Sequence, residues 1–241
     1  MQNQQPSTLK EIRVHGTQDF PCAFYQTGTR IRGNMVKHHW HEEVELLYFS
    51  GGEFCLEINM ERFEISEECF YFINPGELHS ISVEKNGGCV ENAVVFHMDM
   101  LSSAYALDQI QTNLIQPVQN GSIQFPRCLR KNEPAFEPVR KSYEEIRNVF
   151  GGDSFRENYY DGEAVTDDIT RQLFIKSALL RILAVLSANN LFEVTEKNHD
   201  RRIETIKTTL TYIQENYKEK IYIRDLADLI GMNEQYFCRF F

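Results

Sequence analysis

Two hydrophobic periods divide this chain of 241 residues. Between Val44 and His97 the apolar residues come in short runs rich in β-branched and aromatic types. The runs are Val44–Phe49, Phe54–Ile58, Arg62–Ile65, Cys69–Ile73, His79–Val83 and Cys89–His97. Turn signals such as Ser50-Gly51-Gly52 and Pro75-Gly76 lie between them. Short strands at this spacing predict a sandwich or small barrel over roughly the first 100 residues. From Glu137 onward the apolar positions recur every three or four residues, which is the helical period.

The second half breaks into segments. Residues 116–134 contain Pro117, Gly121, Pro126 and Pro134 and read as a loop with one more strand. A helix is expected over Glu137–Phe150, and Gly151–Asp168 reads as a long polar loop. Ile169–Ala188 is strongly helical, with Leu173, Ser177, Leu180, Ala184 and Ser187 on one line and Ile175, Leu179, Ile182 and Leu186 beside it. That broad stripe can cover the sheet, form a dimer seam, or do both. Residues 189–200 are polar and read as a linker. Three short helices follow: Asp200–Tyr217, Ile223–Ile230, and a third that Asn233 would cap, running to Phe241. Three regions are therefore expected: a barrel over 1–135, a helical region over 136–195, and a small all-α unit over 196–241.

Apolar residues make up 42% and charged residues 25%, which excludes a disordered chain or a fibrous rod. The most apolar window, Leu173–Ala188, carries Lys176 and Arg181 and is too short to span a bilayer. Met1–Arg13 is polar, so no signal peptide is expected. Cysteines stand at 22, 55, 69, 89, 128 and 238 with no CxxC pair. They read as reduced thiols of a cytoplasmic protein. The net charge is −10, but it is unevenly spread. Residues 1–196 hold 17 Lys and Arg against 28 Asp and Glu, while residues 197–241 hold 8 against 7. Only the last fifth is electrostatically suited to nucleic acid.

His39 and His41 are two apart, so on a strand they would share a face, and Glu45 has the same parity. His79, after the Pro75-Gly76 turn, is placed to join them from another strand. Three imidazoles and a carboxylate suit a divalent transition metal such as Zn, Ni, Mn or Fe. The same groups could instead hydrogen-bond a small molecule or face solvent. Phe24, Tyr48 and Phe96 are candidate pocket-lining aromatics, and Arg30 is a candidate for binding a ligand's carboxylate or hydroxyl. Gly33, His39, His41, Glu45 and Gly52 occur at the spacing of the first cupin motif, which they resemble. Gly76-Glu77-Leu78-His79 resembles the second motif, with Glu68 at its usual glycine, Pro75 one place late and Val83 at its usual asparagine. The resemblance implies an α+β chain with an N-terminal double-stranded β-helix, the jelly-roll barrel.

Ile221–Phe241 has the form of a helix-turn-helix. Leu226, Ala227 and Ile230 would pack the helix pair, and Gly231 would make the turn. Tyr236, Phe237 and Phe240 would anchor the second helix, leaving Glu234, Gln235, Cys238 and Arg239 outward. Such a second helix reads base edges in the major groove. A plain packing hairpin is the other reading. Leu226-Ala227, Gly231, Asn233 and Tyr236-Phe237-Cys238-Arg239-Phe240-Phe241 resemble the first helix-turn-helix of the arabinose-regulator (AraC-type) transcription factors. Tyr222 stands where that family has a Ser or Thr cap, so a loose helix start is expected. The family also commonly places a cupin sensor in front.

The resemblance implies a cytoplasmic, ligand-responsive transcription regulator, not an enzyme. Its implied partners are a double-stranded DNA operator, a small-molecule effector, a second copy in a homodimer, and RNA polymerase as a further candidate. By position, Asn233, Gln235, Tyr236, Cys238 and Arg239 would form the DNA contact set. Family members carry two such units, so the resemblance implies a longer parent chain with a second unit beyond Phe241. The rival expectations are a metal-dependent cupin oxygenase or isomerase, and a non-catalytic metal sensor.

Overall fold

A computed structural model describes residues 9–29, 31–85, 89–105, 107–151, 160–161, 168–195 and 200–240. Eight strands come first: β1 (Cys22–Thr29), β2 (Gly33–His39), β3 (Val44–Phe49), β4 (Phe54–Ile58), β5 (Glu61–Ile65), β6 (Cys69–Ile73), β7 (His79–Val83) and β8 (Cys89–Phe96). A 3-10 turn, Met98–Leu101, and a π-helical turn, Gln111–Ile115, lead into α1 (Gln116–Gln119), which has Pro117 in its first turn. Then come β9 (Ile123–Gln124), β10 (Cys128–Arg130), α2 (Phe136–Val149), β11 (Tyr160–Asp161), α3 (Ile169–Ala188) and β12 (Glu193–Val194). The chain continues through α4 (Asp200–Asn216), α5 (Ile223–Leu229) and α6 (Glu234–Phe240). Residues 116–134 thus hold a helical turn and two short strands where a loop with one strand was expected. No helix among the described residues is long and apolar enough to cross a membrane.

The strands form two main antiparallel sheets. The larger has the order β10-β6-β3-β8-β1-β11, and the smaller β2-β7-β4-β5. From β1 to β4 successive strands alternate between them, which is the winding of a double-stranded β-helix. β4 and β5 then pair as a hairpin through Asn59 and Met60, at φ 51° and 70°. Positive φ at both loop positions gives the strands the twist a two-residue hairpin needs.

Strand alternation sorts the side chains into two cores. Between the sheets lie Tyr25, Leu47, Phe49, Leu56, Tyr71, Ile73, Ile81, Ala93 and Val95. On the outer face of the larger sheet, Phe24, Tyr48, Phe70, Val94 and Phe96 pack against α2 and α3. Tyr143 of α2 is the hub, with ring centroids 5.0 Å from Tyr48, 5.4 Å from Phe70 and 6.3 Å from Phe24. On α3 the line Ile175, Ala178, Leu179, Ile182, Leu183 and Leu186 enters this core. The neighbouring line does not: Leu173, Phe174 and Leu180 stay exposed.

The last three helices make their own small core of Leu226, Ala227 and Phe237, with Ile213 and Ile230 against it. α4 also reaches back to the barrel, where Ile206 is buried with Leu9 and Leu78. Beside them the Lys207 ammonium sits 4.3 Å from the Trp40 ring centroid.

Candidate functional site

The histidine–glutamate group forms where the chain crosses between sheets. β2 ends at His39, which pairs with His79 at the start of β7 in the smaller sheet. Glu45 belongs to β3 in the larger sheet. His41 lies in the crossing itself, held by its own carbonyl, which accepts from the Gly76 N–H at 2.7 Å. The shared-strand reading is therefore corrected. The four groups meet because the polypeptide turns from one sheet to the other, not because one strand presents them on one face. Ligand atoms of His39, His41, Glu45 and His79 all lie within 4.8 Å of one another.

Protonation follows from the neighbours. Nδ1 of His39 lies 2.8 Å from the Lys37 carbonyl, and Nδ1 of His79 lies 2.9 Å from the Glu77 carbonyl. A carbonyl only accepts, so Nδ1 carries a proton in each ring, which turns Nε2 toward the site. Burial, with the His79 ring beside it, pushes His39 down to about 4, so its imidazole is neutral at physiological pH. Burial alone would raise the Glu45 carboxyl. The imidazoles of His41 and His79, 3.4 and 2.9 Å from its Oε2, outweigh that and hold it well below the usual carboxylate range. Even so, Nε2 of His79, both ring nitrogens of His41 and Oε2 of Glu45 are buried without a hydrogen bond among the described residues. Leaving such atoms unmatched costs stability, and a cation would supply the missing partner. The neutral His39 imidazole and the ionised Glu45 carboxylate are protonation states a divalent metal requires. The donor set fits one.

The loop carrying His79 is fixed from below. Arg127 donates to both carboxylate oxygens of the buried Glu77, at 2.7 and 2.5 Å. Glu77 also accepts from the Asn74 N–H at 2.8 Å and from Asn59 Nδ2 at 3.2 Å.

Two further groups stand at the site that sequence spacing did not single out. Glu11 Oε2 lies 3.3 Å from His39 Nε2 and 3.4 Å from His15 Nε2. They reach the barrel from a segment with no strand or helix pattern, and the one local hint, Glu11 and His15 four apart, is too common to be a signal.

Other expectations fare differently. Phe24, Tyr48 and Phe96 do not line the barrel interior. They point to the opposite face of the larger sheet and serve the helix-packed core. Arg30 lies outside the described residues. A cavity of about 570 Å³ sits outside the barrel, against α4. Trp40, Glu42, Gly76, His97, Glu204 and Lys207 are among its walls.

At the C-terminal unit, Asn233 caps α6, its Oδ1 accepting from the Tyr236 N–H at 2.8 Å. Gly231, at φ 66°, ends α5, and the Met232 N–H reaches back to the Ala227 carbonyl at 2.9 Å. The Asp225 carboxylate accepts from the Tyr222 N–H at 3.1 Å, so α5 starts anchored rather than loose. Glu234, Gln235, Cys238 and Arg239 are exposed as expected. Tyr236 is exposed too, at 51%, and does not anchor the helix; Phe237 alone of the three aromatics is buried, with Phe240 half-buried. Tyr217, just past the end of α4, is likewise exposed.

Comparison with known proteins finds a regulator relative and a ligand-binding family. The chain is 26% identical over 241 aligned residues to the HTH-type transcriptional regulator YdeC of Bacillus subtilis (strain 168), covering 97% of this chain and 74% of that one. Among solved structures, a predicted oxalate decarboxylase of Thermotoga maritima matches 31% of this chain and 67% of its own, at 26% identity and a TM-score of 0.29. A RmlC-like cupin of Shewanella frigidimarina matches 34% and 67%, at 13% identity and a TM-score of 0.29. The family model of the AraC-like ligand-binding domain matches residues 24–148, just over half of the chain. With its barrel, its helices and that match together, the chain belongs to the AraC-type family of transcription regulators.

Proposed function

We propose that this chain is a ligand-responsive regulator that binds DNA through α5 and α6 and senses a small molecule, with a divalent metal, at the barrel site. The observation that carries the reading is the pairing of two features in one chain. One is a buried His39–His41–Glu45–His79 group whose inward atoms lack partners. The other is a helix pair whose second member leaves Gln235, Cys238 and Arg239 exposed. A bound metal would be held by His39, His41 and His79 through ring nitrogens and by Glu45 through its carboxylate. It would supply a Lewis-acidic centre for an oxygen donor of the effector.

A physical route joins the two ends. Leu78, next to His79, packs with Ile206 of α4, and α4 supplies Ile213 to the helix-turn-helix core. Occupancy at the site biases how that unit sits relative to the barrel. A homodimer through the exposed Leu173–Phe174–Leu180 line of α3 completes the reading, since two heads are needed to read two half-sites.

On α6, Arg239 is the strongest base reader, because its guanidinium can bond guanine bidentately. The test is an anisotropy titration against upstream promoter fragments at about 150 mM salt. Arg239→Ala is expected to weaken binding by roughly 1–3 kcal/mol and to relax preference at one base pair. Absence of binding to any fragment, together with turnover of an oxygenated substrate by metal-loaded protein, would favour the enzymatic reading instead.

A further inference from the structure

We infer that Glu11, His15 and His41 form a second metal site beside the first, so that the barrel mouth holds a pair of divalent ions closed over by the N-terminal segment. The inference rests on the first site being a metal site, as proposed above. One ligand atom from each of Glu11, His15 and His41 lies within 4.8 Å of the others. His15 and His41 are buried, at 3% and 4% exposed. Nε2 of His15 and both ring nitrogens of His41 have no hydrogen bond among the described residues.

The segment is built into place. Residues 9–11 run beside Trp40: the Glu11 N–H donates to the Trp40 carbonyl and the Trp40 N–H to the Leu9 carbonyl, both at 2.9 Å. That ladder aims Glu11 at His39 and His15. His15 is set by the Tyr25 hydroxyl, 2.9 Å from its Nδ1, and by the turn at Gly16. Gly16 has φ 82°, and a Cβ there would lie 2.5 Å from the Phe20 and Cys22 carbonyl oxygens. Only glycine makes this turn, and it delivers His15 to the site.

Two imidazoles and one carboxylate suit Zn²⁺, Fe²⁺ or a similar ion, and three protein ligands leave coordination positions open to an oxygen-donor ligand. His41 is the shared member. Its Nε2 lies 3.4 Å from Glu45 Oε2 and its Nδ1 3.5 Å from Glu43 Oε2, so its two ring nitrogens are turned to different carboxylates. The carboxylates of Glu11, Glu43 and Glu45 around the two positions supply negative charge that offsets much of that of two divalent ions.

The experiment uses metal-free full chain titrated with Zn²⁺. Calorimetry follows binding, and elemental analysis after gel filtration counts the ions retained. Wild type is expected to retain two ions per chain. Glu11→Gln with His15→Ala should retain one, and His39→Ala with His79→Ala should also retain one. Circular dichroism of the metal-free proteins checks that each variant folds, and Glu11→Gln alone, which preserves shape, should also lose the second step. Two ions retained by the Glu11→Gln, His15→Ala protein would overturn the inference. So would a single wild-type ion lost only from the His39→Ala, His79→Ala protein, though that result leaves the first site standing. A single ion lost only from the Glu11→Gln, His15→Ala protein would overturn the first site and with it the pair, and a wild type retaining none would overturn both.

Discussion

Glu91 shows what burial does to one residue. It lies on β8 between the sheets, 2% exposed, and its Oε1 has no hydrogen bond among the described residues. Burial, with the charge of Glu45 added, holds its carboxyl well above the usual range. In the unfolded chain it would titrate near ~4.3. Its native value is raised, so folding takes up a proton between the two values. The stability it contributes is complete below the unfolded value and is lost as pH rises toward the native one. Glu91→Gln should therefore be more stable than wild type at about pH 7, with the gap closing toward about pH 4 in a series of thermal melts. A variant less stable at neutral pH would contradict this. Met60 is a second local cost, a long side chain held at φ 70° in the β4–β5 turn. Met60→Gly should raise unfolding free energy by about 0.5–1 kcal/mol in urea titrations. Residue types at the site were legible in the sequence, since His39, His41, Glu45 and His79 do converge. Their geometry was not, because parity describes one strand and the chain changes sheets after His39.

At the scale of elements, the runs from Val44 to Phe96 appear as strands almost at their expected limits, because their apolar and turn residues agree. β1 and β2 were harder to see. β2, Gly33–His39, is half exposed at a sheet edge and carries no apolar alternation. The two lines of α3 look equally apolar in sequence, and only its packing on the sheet decides that Ile175 is buried and Leu173 is not. The same limit misplaced Phe24, Tyr48 and Phe96, since strand pattern gives alternation but not which face is the barrel's. The turn between β6 and β7 depends on Arg127, which β10 brings under Glu77 from 50 residues away. Arg127→Ala leaves a buried carboxylate uncompensated. It should cost roughly 2–4 kcal/mol in chemical denaturation and loosen His79, weakening metal retention as well. An unchanged unfolding midpoint would show that the pair does not hold the turn.

For the whole molecule, the charge division follows the architecture. The acidic barrel and its helices carry the negative excess, and the near-neutral last fifth folds into the helix pair. If α3 is the dimer seam, light scattering should give twice the 28.2 kDa chain mass. Leu173→Asp with Leu180→Asp should return the protein to a folded monomer, because both side chains are already exposed in the single chain. Unfolding instead of dissociation would place those residues in a core. The central claim is that the barrel site controls the DNA-binding helices. Its most direct test is the Kd for an operator fragment, measured by anisotropy at fixed salt, with metal-free and Zn²⁺-loaded protein in parallel. Coupling between two such sites is typically about 5–150-fold, so wild-type Kd should change by a factor in that range on loading. His39→Ala with His79→Ala should show no such change. A wild-type Kd that stays constant while the metal demonstrably binds would contradict the account.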